Sequence, residues 1–363
     1  MRPRLTPTDQ PKIDPSKIKK ILLLRPRRLG DIILTTPALR ALKSALPSAK
    51  IFFLLESPYQ RLIQGNGLVE EVIAIPPKLS WIGLSRLIMI LRQYHFDLAI
   101  DFHGGPRSAL LTLGSGSRLR VGYRTQYKSW VYHLTVARSS PAGPIHSVVN
   151  HLNLVRAAGF NVGNDFSLWV AGPRPEEKKI VEACWQEWGL GSKLVVALHI
   201  SAGNQFRDWG QENIVNFLKK ISTSSQILPL LIGSTEDKKR EKEIIEACGR
   251  PIPSLVGKTS LGELIAALER VDLFVGPDSG PMHLAAALGR PIVALFGPTL
   301  PAHFSPWKAQ AVILEKNLAC RPCRQRTCPY SNYPCIREIG AEEVAATSLE
   351  LLRTCGQPQR SLG

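Results

Sequence analysis

The chain has 363 residues, and its 46 Lys and Arg against 29 Asp and Glu give a formal net charge of +17 at pH 7. Its length exceeds what one hydrophobic core usually serves, so we expect two domains. Apolar residues make up 44% of the chain, which excludes a disordered protein, and no apolar run reaches the about 18 residues that a membrane-spanning helix needs.

Residues 1–19 are basic and rich in proline, and they predict a flexible lead-in. They lack the apolar segment of a secretory signal peptide, so we expect the protein to stay in the cytosol. Positive charge is concentrated in the first half: residues 1–171 carry 23 Lys and Arg against 9 acids, whereas residues 172–363 carry 23 against 20. This asymmetry favours a polyanionic partner for the first half, either nucleic acid, an anionic membrane surface or a phosphorylated substrate.

Strand and helix patterns alternate along the whole chain. A predicted helix over residues 29–46 contains Pro37, which should bend or restart it, and a second one, over residues 176–188, follows a Pro- and Gly-rich boundary at 171–177. Short apolar runs typical of buried strands occupy residues 20–25, 51–55, 69–75, 96–102, 194–200, 227–233 and 271–276. This alternation predicts an α/β fold with two doubly wound domains, residues 20–171 and 172–363, and a ligand cleft at the carboxyl ends of their strands.

The segment RPRRLGD, residues 25–31, follows the first predicted strand. It is poor in glycine, so it is neither a P-loop nor a dinucleotide-binding fingerprint. Its carboxylate, Asp31, has two interpretations: a favourable charge at the start of a helix, or a general base in the cleft.

The segment GPDSGPMHLAAALGRPIVALFGPT, residues 276–299, places polar residues between two buried strands. Pro281 suits the first turn of a helix over residues 282–288, and Gly289 suits its end. Free backbone amides and the positive end of the helix dipole therefore lie at the start of this helix, where an anion is the natural ligand.

Four residues stand at that helix start: Asp278, Ser279, Gly280 and His283. An ordinary capped turn between strand and helix would explain Ser279 and Gly280, but it does not explain why Asp278 and His283 occur there. The segment therefore predicts a site for a ligand that bears phosphate.

A cysteine cluster occupies residues 320–335, CRPCRQRTCPYSNYPC, and consists of Cys320, Cys323, Cys328 and Cys335. Four thiols in so short a segment could bind one structural zinc ion, although the spacing differs from that of the familiar zinc ribbons. Reduced thiols and disulfides are the two alternatives, and disulfides are rare in the cytosol. The other three cysteines are interpreted as ordinary core or helix residues.

Five segments together resemble one known family: LLLRPRRLGDIILTTPALRALKSALPSAKI, DFHGGPRSALL, HISAGNQFRDWGQENIVNFLKKI, LLIGSTED and GPDSGPMHLAAALGRPIVALFGPT. The chain is similar to the bacterial lipopolysaccharide heptosyltransferases of glycosyltransferase family nine, and to the heptosyltransferase II type in particular. The resemblance implies a GT-B architecture, in which two Rossmann-like domains face each other across a cleft. It also implies transfer of L-glycero-D-manno-heptose from ADP-heptose to the inner core of lipopolysaccharide, with inversion at the anomeric carbon.

The resemblance implies a role for each matching residue. In the acceptor-binding domain, residues 20–171, Asp31 matches the family's general base. In the donor-binding domain, residues 172–363, Ser201 and Arg207 match the family's side chains on the diphosphate, and Ser279 and Gly280 match its amide donors to the same group. Asp237, or else Glu236, matches the residue on the ribose. Asp278 matches the residue that holds sugar hydroxyls, and His283 matches a histidine nearby. No Asp-x-Asp pair lies beside this site, so we expect no cofactor in catalysis.

The implied acceptor is a phosphorylated core–lipid A molecule at the anionic cytoplasmic face of the inner membrane, to which the protein should bind peripherally. Its expected contacts are Arg25, Arg27, Arg28, Arg61, Arg107, Arg120 and Arg124. Arg27 and Arg28 stand where the family often has small residues, which leaves the acceptor sugar open. The alternatives are a transferase of the same family with another sugar or acceptor, and a nucleic-acid-binding protein. We expect no nucleic-acid partner, because aromatic residues are not interleaved with the basic ones.

Overall fold

The structure is a computed structural model of the chain, and it describes residues 14–65, 67–138 and 143–355. Most of the predicted lead-in, up to residue 13, lies outside the described residues, and Pro15–Lys17 forms a 3₁₀ turn. The chain divides into two compact units, Met1–Ala171 and Gly172–Gly363.

The first unit is built on a six-stranded parallel sheet in the order β3-β2-β1-β4-β5-β6. Its strands are β1 Lys20–Leu24, β2 Lys50–Glu56, β3 Glu71–Ile75, β4 Leu98–Asp101, β5 Leu119–Tyr123 and β6 Leu134–Val136. Its helices are α1 Leu29–Ile33, α2 Thr36–Ala45, α3 Trp81–Gln93, α4 Pro106–Gly114 and α5 Ser147–Ala157. The strand at the centre, β1, reads KILLL and is almost fully buried, as expected for a strand covered by helices on both faces.

The second unit contains a five-stranded parallel sheet in the order β11-β10-β9-β7-β8. Its strands are β7 Leu194–His199, β8 Ile227–Ile232, β9 Leu273–Pro277, β10 Ile292–Phe296 and β11 Ala311–Glu315. Its helices are α6 Pro175–Glu187, α7 Gln211–Ile221, α8 Lys238–Cys248, α9 Leu261–Leu268, α10 Gly280–Ala287, α11 Pro301–Phe304, α12 Pro334–Arg337 and α13 Ala341–Cys355. The predicted α/β class with doubly wound parallel sheets is confirmed.

The predicted helix over residues 29–46 is interrupted, as its proline indicated. Helix α1 ends before Leu34 and Thr35, which keep right-handed helical dihedral angles and form a turn, and the chain restarts as α2 with Pro37 in its first turn. Proline is tolerated there because the first amides of a helix have no intrahelical acceptor. Helix α1 is therefore short, Leu29–Ile33, and Asp31 lies in its first turn.

Each sheet has one point where the direction of chain winding reverses. In the first unit the chain winds from β1 outward to β3 and then returns to place β4 on the other side of β1. In the second unit the corresponding point lies between β7 and β9. Loops that leave the carboxyl ends of the two strands at such a point diverge and form a crevice, which is where doubly wound sheets bind ligands.

No helix among the described residues is long and apolar enough to cross a membrane.

Candidate active site

Two loops meet at the β1/β4 crevice of the first unit, and Arg25 joins them. Its Nη2 lies 2.7 Å from Oδ2 of Asp31, and its Nη1 donates a 2.7 Å hydrogen bond to the backbone carbonyl of Phe102, just after β4. The Arg25 side chain is 9% exposed and that of Asp31 is 33% exposed. The carboxylate is therefore held in one orientation by a buried cation but remains open to solvent on one side.

Arg25, a predicted acceptor contact, is engaged by protein groups. Its guanidinium is buried, with Nη2 directed to Asp31 and Nη1 to Phe102, while its Nε has no hydrogen-bond partner among the described residues. A buried charge with such partners keeps them, because a lost partner leaves an unpaired charge in a poorly solvated position. Arg25 therefore orients the candidate base, and its contact with the acceptor stays a prediction.

A second buried carboxylate, Asp101, organises the loop between β4 and α4. Its Oδ1 accepts hydrogen bonds from the amides of His103 and Gly104, both at 2.9 Å. Its Oδ2 accepts from Oγ of Ser108 at 2.9 Å and from the hydroxyl of Tyr132 at 2.7 Å. Four hydrogen bonds compensate the burial of this charge, and they fix the loop that faces Asp31 across the crevice.

Two ring side chains near Asp31 were not singled out from the sequence. Burial lowers the pKa of His103 to about 4, with the charge of Arg25 as the next cause, and the Asp31 charge also acts on it. Burial raises the pKa of Tyr59, and the charges of Arg28 and Asp31 act on that phenol as well. At neutral pH both rings are therefore uncharged neighbours of the candidate base. The signal that could have found them is their position just after β4 and β2, where ligands bind.

Two more of the predicted acceptor arginines are engaged by protein groups. Arg107 forms an ion pair with the buried carboxylate of Glu56 and donates a 2.8 Å hydrogen bond to the carbonyl of Pro77. Arg120 donates from Nε to the carbonyl of Val131 at 2.8 Å. These contacts give both residues a role within the fold, and acceptor binding by either one stays a prediction.

The other four arginines divide by exposure. Arg27, Arg28 and Arg124 are exposed, whereas Arg61 is half-buried and has interactions with other protein groups. Exposed guanidinium groups keep their donors for an anion, so Arg27, Arg28 and Arg124 are the most accessible of the seven predicted acceptor contacts.

In the second unit, the loop after β9 leads into α10, which starts at Gly280 with Pro281 in its first turn. Ser279 is in an extended conformation before the helix, and its side chain does not cap the helix. The amides of the first turn have no acceptor four residues back, so they present partial positive charge at the β7/β9 crevice. This geometry is suited to an anion.

Asp278 lies beneath this helix start and is surrounded by protein groups. Its side chain is 5% exposed, with Oδ2 3.2 Å from Nη1 of Arg207, and the same Oδ2 accepts a 2.7 Å hydrogen bond from Oγ1 of Thr299. Nε2 of His283, equally buried, lies 3.8 Å from Oδ1. The carboxylate therefore orients Arg207, and a contact of Asp278 with sugar hydroxyls stays a prediction.

Arg207 is held from three directions. Nη1 donates to the backbone carbonyl of Asp278 at 3.1 Å as well as pairing with its carboxylate. Nε donates at 3.1 Å to the side-chain oxygen of Gln325, which also accepts from Nδ2 of Asn204 at 2.8 Å. Within the described residues, Nη2 makes no hydrogen bond with the protein, so a fixed guanidinium keeps one donor group for a ligand.

His199, at the end of β7, connects the two sides of the β7/β9 crevice. Its Nδ1 lies 3.1 Å from Oγ of Ser279, and burial lowers its pKa to about 4. Two residues further on, Oγ of Ser201 accepts a 3.1 Å hydrogen bond from the amide of Gly203. The predicted donor residues Ser201 and Ser279 therefore lie in the loops that follow two neighbouring strands of one sheet. His199 is a neighbour of theirs that the sequence did not reveal.

The candidate ribose residues lie at the start of α8. Oδ2 of Asp237 accepts 2.8 Å hydrogen bonds from both the amide and the hydroxyl of Ser234, which caps the local turn. Glu236 is exposed. Both carboxylates line a pocket of about 850 Å³ together with the ion pair of Asp208 and Arg240. Both carboxylates therefore interact with the protein: Asp237 through Ser234, and Glu236 through its own backbone amide and the Ser234 side chain.

The cysteine loop, residues 320–335, contacts Arg207 through the side chain of Gln325. All seven cysteines are free, and among residues 14–65, 67–138 and 143–355 no three His, Cys, Asp or Glu side chains are grouped to hold a metal ion. Burial raises the pKa of Cys335 to about 11, and the charges of Cys320, Cys323 and Cys328 raise it further. The four thiols are thus neighbours, and zinc binding by this loop stays a prediction.

The sequence model of glycosyltransferase family 9 (heptosyltransferase) matches residues 84–334. Lipopolysaccharide heptosyltransferase 3 of Escherichia coli K12 is 28% identical over 341 residues, which cover 89% of this chain and 95% of that protein. A family 9 glycosyl transferase from Veillonella parvula has the same fold, with a TM-score of 0.80 and 22% identity over 93% of this chain and 97% of that one. The E. coli ADP-heptose lipopolysaccharide heptosyltransferase II has a TM-score of 0.76 and 21% identity over 92% and 99%. These likenesses confirm the GT-B fold class.

Proposed function

The chain belongs to glycosyltransferase family 9, the heptosyltransferases, and from that premise we propose that it transfers heptose from ADP-heptose to the inner core of lipopolysaccharide. The E. coli heptosyltransferase II of similar fold is described as an ADP-heptose enzyme. At 21% identity that likeness extends to the fold alone, so the proposal depends on the residues of this chain.

The observation that carries the proposal is the arrangement of Arg207 and the start of α10. A guanidinium fixed by Asp278 and Gln325 lies beside the free amides of Ser279 and Gly280, at the crevice between β7 and β9. Fixed positive charge of this kind is what a nucleoside diphosphate requires, in the ground state and more strongly when it leaves. Ser201 contributes a hydroxyl at the end of the adjacent strand.

The proposed reaction is a single displacement at the anomeric carbon. An acceptor hydroxyl oxygen forms a bond to that carbon while the bond from the carbon to the diphosphate oxygen breaks, so the configuration inverts. Asp31 takes the hydroxyl proton, and the negative charge that develops on the departing ADP is stabilised by Arg207 and the α10 amides. No cofactor takes part in this sequence of bond changes.

Two features of the first unit support Asp31 as the base. Arg25 fixes its orientation from the buried side, and the other side of the carboxylate is open to a substrate. The neighbouring His103 is neutral at physiological pH, because burial lowers its pKa to about 4. A neutral imidazole next to the base adds no charge that would compete for the acceptor.

The proposed acceptor is a phosphorylated core–lipid A molecule, which the exposed Arg27, Arg28 and Arg124 would attract. We propose that the protein works in the cytoplasm and associates peripherally with the anionic face of the inner membrane. For the ribose of the donor we propose Asp237, with Glu236 as the alternative because it is the more exposed of the two.

The test is mass spectrometry of the products formed from ADP-heptose and a panel of truncated core acceptors. We expect one acceptor to gain the mass of one heptose residue, with release of ADP. ADP-glucose and UDP-sugars, offered with the same acceptors, serve as matched donor controls. Transfer from one of those donors but not from ADP-heptose would replace the proposal with another transferase of the same family.

A further inference from the structure

The first unit exposes an unusual number of large apolar side chains. Seven of the ten that are exposed among the described residues lie in α3, in α4 and in the segment 127–130, which leads into the 3₁₀ turn Ser129–Val131. They are Trp81, Ile82, Met89, Ile90, Leu110, Tyr127 and Trp130. We call these seven residues the α3 surface. The other three belong to separate parts of the second unit: Ile180 lies in α6, Val312 in β11 and Tyr330 in the cysteine loop. Scattered apolar residues are normal on a protein surface, whereas a concentration marks a binding surface.

Helix α3 is apolar on both of its sides. Leu84, Leu87 and Leu91 are buried against the sheet, and on the outward side Trp81 and Ile82 are 82% and 65% exposed. A helix that only covers a sheet has polar residues on its outer face. The outer face of α3 therefore has a function other than packing against the sheet.

The elements that carry the α3 surface are adjacent. Helix α4 packs against α3, and the approach is close at Gly114, where an added Cβ would lie 2.7 Å from Cγ1 of Ile88. The 3₁₀ turn Ser129–Val131 packs against α4 in turn. The indole N–H of Trp130 donates to the carbonyl of Tyr127 at 3.1 Å, so the exposed ring can leave water without losing its hydrogen bond.

The charge around this surface has one sign. The sequence has no acidic residue between Glu71 and Asp97, and between Asp101 and Asp165 it has none but contains seven Lys and Arg. Within the described part of the chain, the cations at the surface that form no ion pair include Lys78, Arg86, Arg124 and Lys128. A second copy of this chain would bring like charges together, whereas an anionic lipid surface would neutralise them.

We propose that the α3 surface docks on an anionic lipid bilayer, with its aromatic and aliphatic side chains among the lipid headgroups and the surrounding cations against lipid phosphates. Trp and Tyr side chains favour this interfacial depth, and a short basic helix with an apolar outer face lies in the plane of the membrane rather than across it. The inference deepens the proposed function, on which it rests for the lipid-linked acceptor.

The experiment is flotation of the full chain with phosphatidylglycerol–phosphatidylcholine vesicles that contain no acceptor, compared with pure phosphatidylcholine. Wild type should float with the anionic vesicles, less so at high salt. The variant Trp81→Gln/Ile82→Gln/Met89→Gln/Ile90→Gln should bind at least about tenfold more weakly. Ile180→Gln/Val312→Gln, which removes exposed apolar residues of the second unit, is the matched control and should bind like wild type.

A charge variant keeps the test decisive if the fourfold variant does not fold. Lys78→Glu/Arg86→Glu leaves the apolar residues in place and should weaken binding to anionic vesicles by about fivefold or more for each position. Equal flotation by wild type and both variants, or no flotation by wild type, would overturn the inference. One more result would overturn the inference: wild type forms a dimer and binds no vesicles, and the fourfold variant is a monomer. The α3 surface would then join two copies of the chain.

Heptose transfer to a lipid-free core oligosaccharide, measured in parallel, separates this inference from the proposed function. Both variants should keep this activity within about twofold, since none of the changed residues lies in the candidate active site. Flotation without any heptose transfer would contradict the proposed function and support the inference.

Discussion

The guanidinium of Arg207 donates to the side-chain oxygen of Gln325, with 3.1 Å between Nε and Oε1. Gln325 belongs to the cysteine loop, and the same oxygen accepts from Asn204 at 2.8 Å. Arg321 of this loop also donates to the carbonyl of Thr299 at 3.0 Å, and Thr299 binds Asp278. The cysteine loop is therefore part of the support of the proposed diphosphate site, through two separate routes.

We expect Gln325→Ala to weaken ADP binding about 5- to 30-fold, because the charge-assisted hydrogen bond that fixes Arg207 is lost. Titration calorimetry with ADP measures this effect directly. The matched control is Gln186→Ala, which removes an exposed amide of α6 that contacts Glu182 and should leave ADP binding unchanged. ADP affinity equal to wild type in Gln325→Ala would show that Arg207 needs no support from the loop.

Asp31→Asn should lower turnover by about 10²–10⁴-fold, the usual range for a lost general base, while donor affinity stays near wild type. The amide keeps the size of the side chain but cannot take the proton. Steady-state kinetics with ADP-heptose and the identified acceptor give both values. Asp14→Asn, which changes an exposed carboxylate paired with Lys17, is the control. Turnover near wild type in Asp31→Asn would remove Asp31 from this role.

The parts of the site that could be predicted from sequence are those that depend on neighbours in the chain. The loop after β9 and the start of α10 follow from Pro281 and the apolar runs around them, and the structure places both as expected. The neighbours of Asp31 in the chain likewise predict that it lies at the start of a helix, as it does in α1. Strand ends and helix starts are local properties, so a short segment is enough to locate them.

The roles that local sequence could not indicate depend on contacts between distant segments. The contact from Arg25 to Phe102 spans 77 residues, and the one from Arg207 to Gln325 spans 118 residues. An arginine in a basic segment is equally consistent with an exposed and a buried side chain, and only the folded arrangement distinguishes the two. Buried charges such as Asp278 are therefore assigned from structure.

Activity should survive EDTA in a brief assay, because the charge of the leaving diphosphate is met by Arg207 and the amides at the start of α10. Initial rates with and without chelator provide the measurement, and a metal-dependent transferase treated in the same way is the control. Rapid loss that Mg²⁺ or Mn²⁺ restores would contradict this expectation. Slow loss with release of zinc, detected by metal analysis, would instead indicate that the cysteine loop holds a metal.

Acid should destabilise the fold through three histidines. Burial lowers the pKa of His103 and His199 to about 4 and that of His151 to about 3, from an ordinary 6.5. Below pH 6.5 the unfolded chain binds protons that the folded chain does not, so the free energy of unfolding falls by up to about 1.4 kcal/mol per pH unit for each histidine. The loss ends as pH passes below the folded values, where both states are protonated.

Thermal unfolding midpoints between about pH 7 and about pH 5 measure this effect. We expect His103→Gln to reduce the fall of the midpoint over that interval, because one of the three proton-linked sites is removed. His95→Gln, a change at an exposed histidine, should leave the fall as it is in wild type. An unchanged pH dependence in His103→Gln would mean that its imidazole is as well solvated in the folded protein as in the unfolded one.

The predicted acceptor arginines should separate into two groups by experiment. The exposed Arg27, Arg28 and Arg124 attract a phosphorylated acceptor through charge, so the triple alanine variant should raise its KM, most strongly at low salt. Its melting temperature should stay near wild type. Arg120→Ala leaves the carbonyl of Val131 without its donor, so it should lower the melting temperature and affect KM less. A triple variant with wild-type KM at every salt concentration would assign the positive charge of the first unit to something other than acceptor binding.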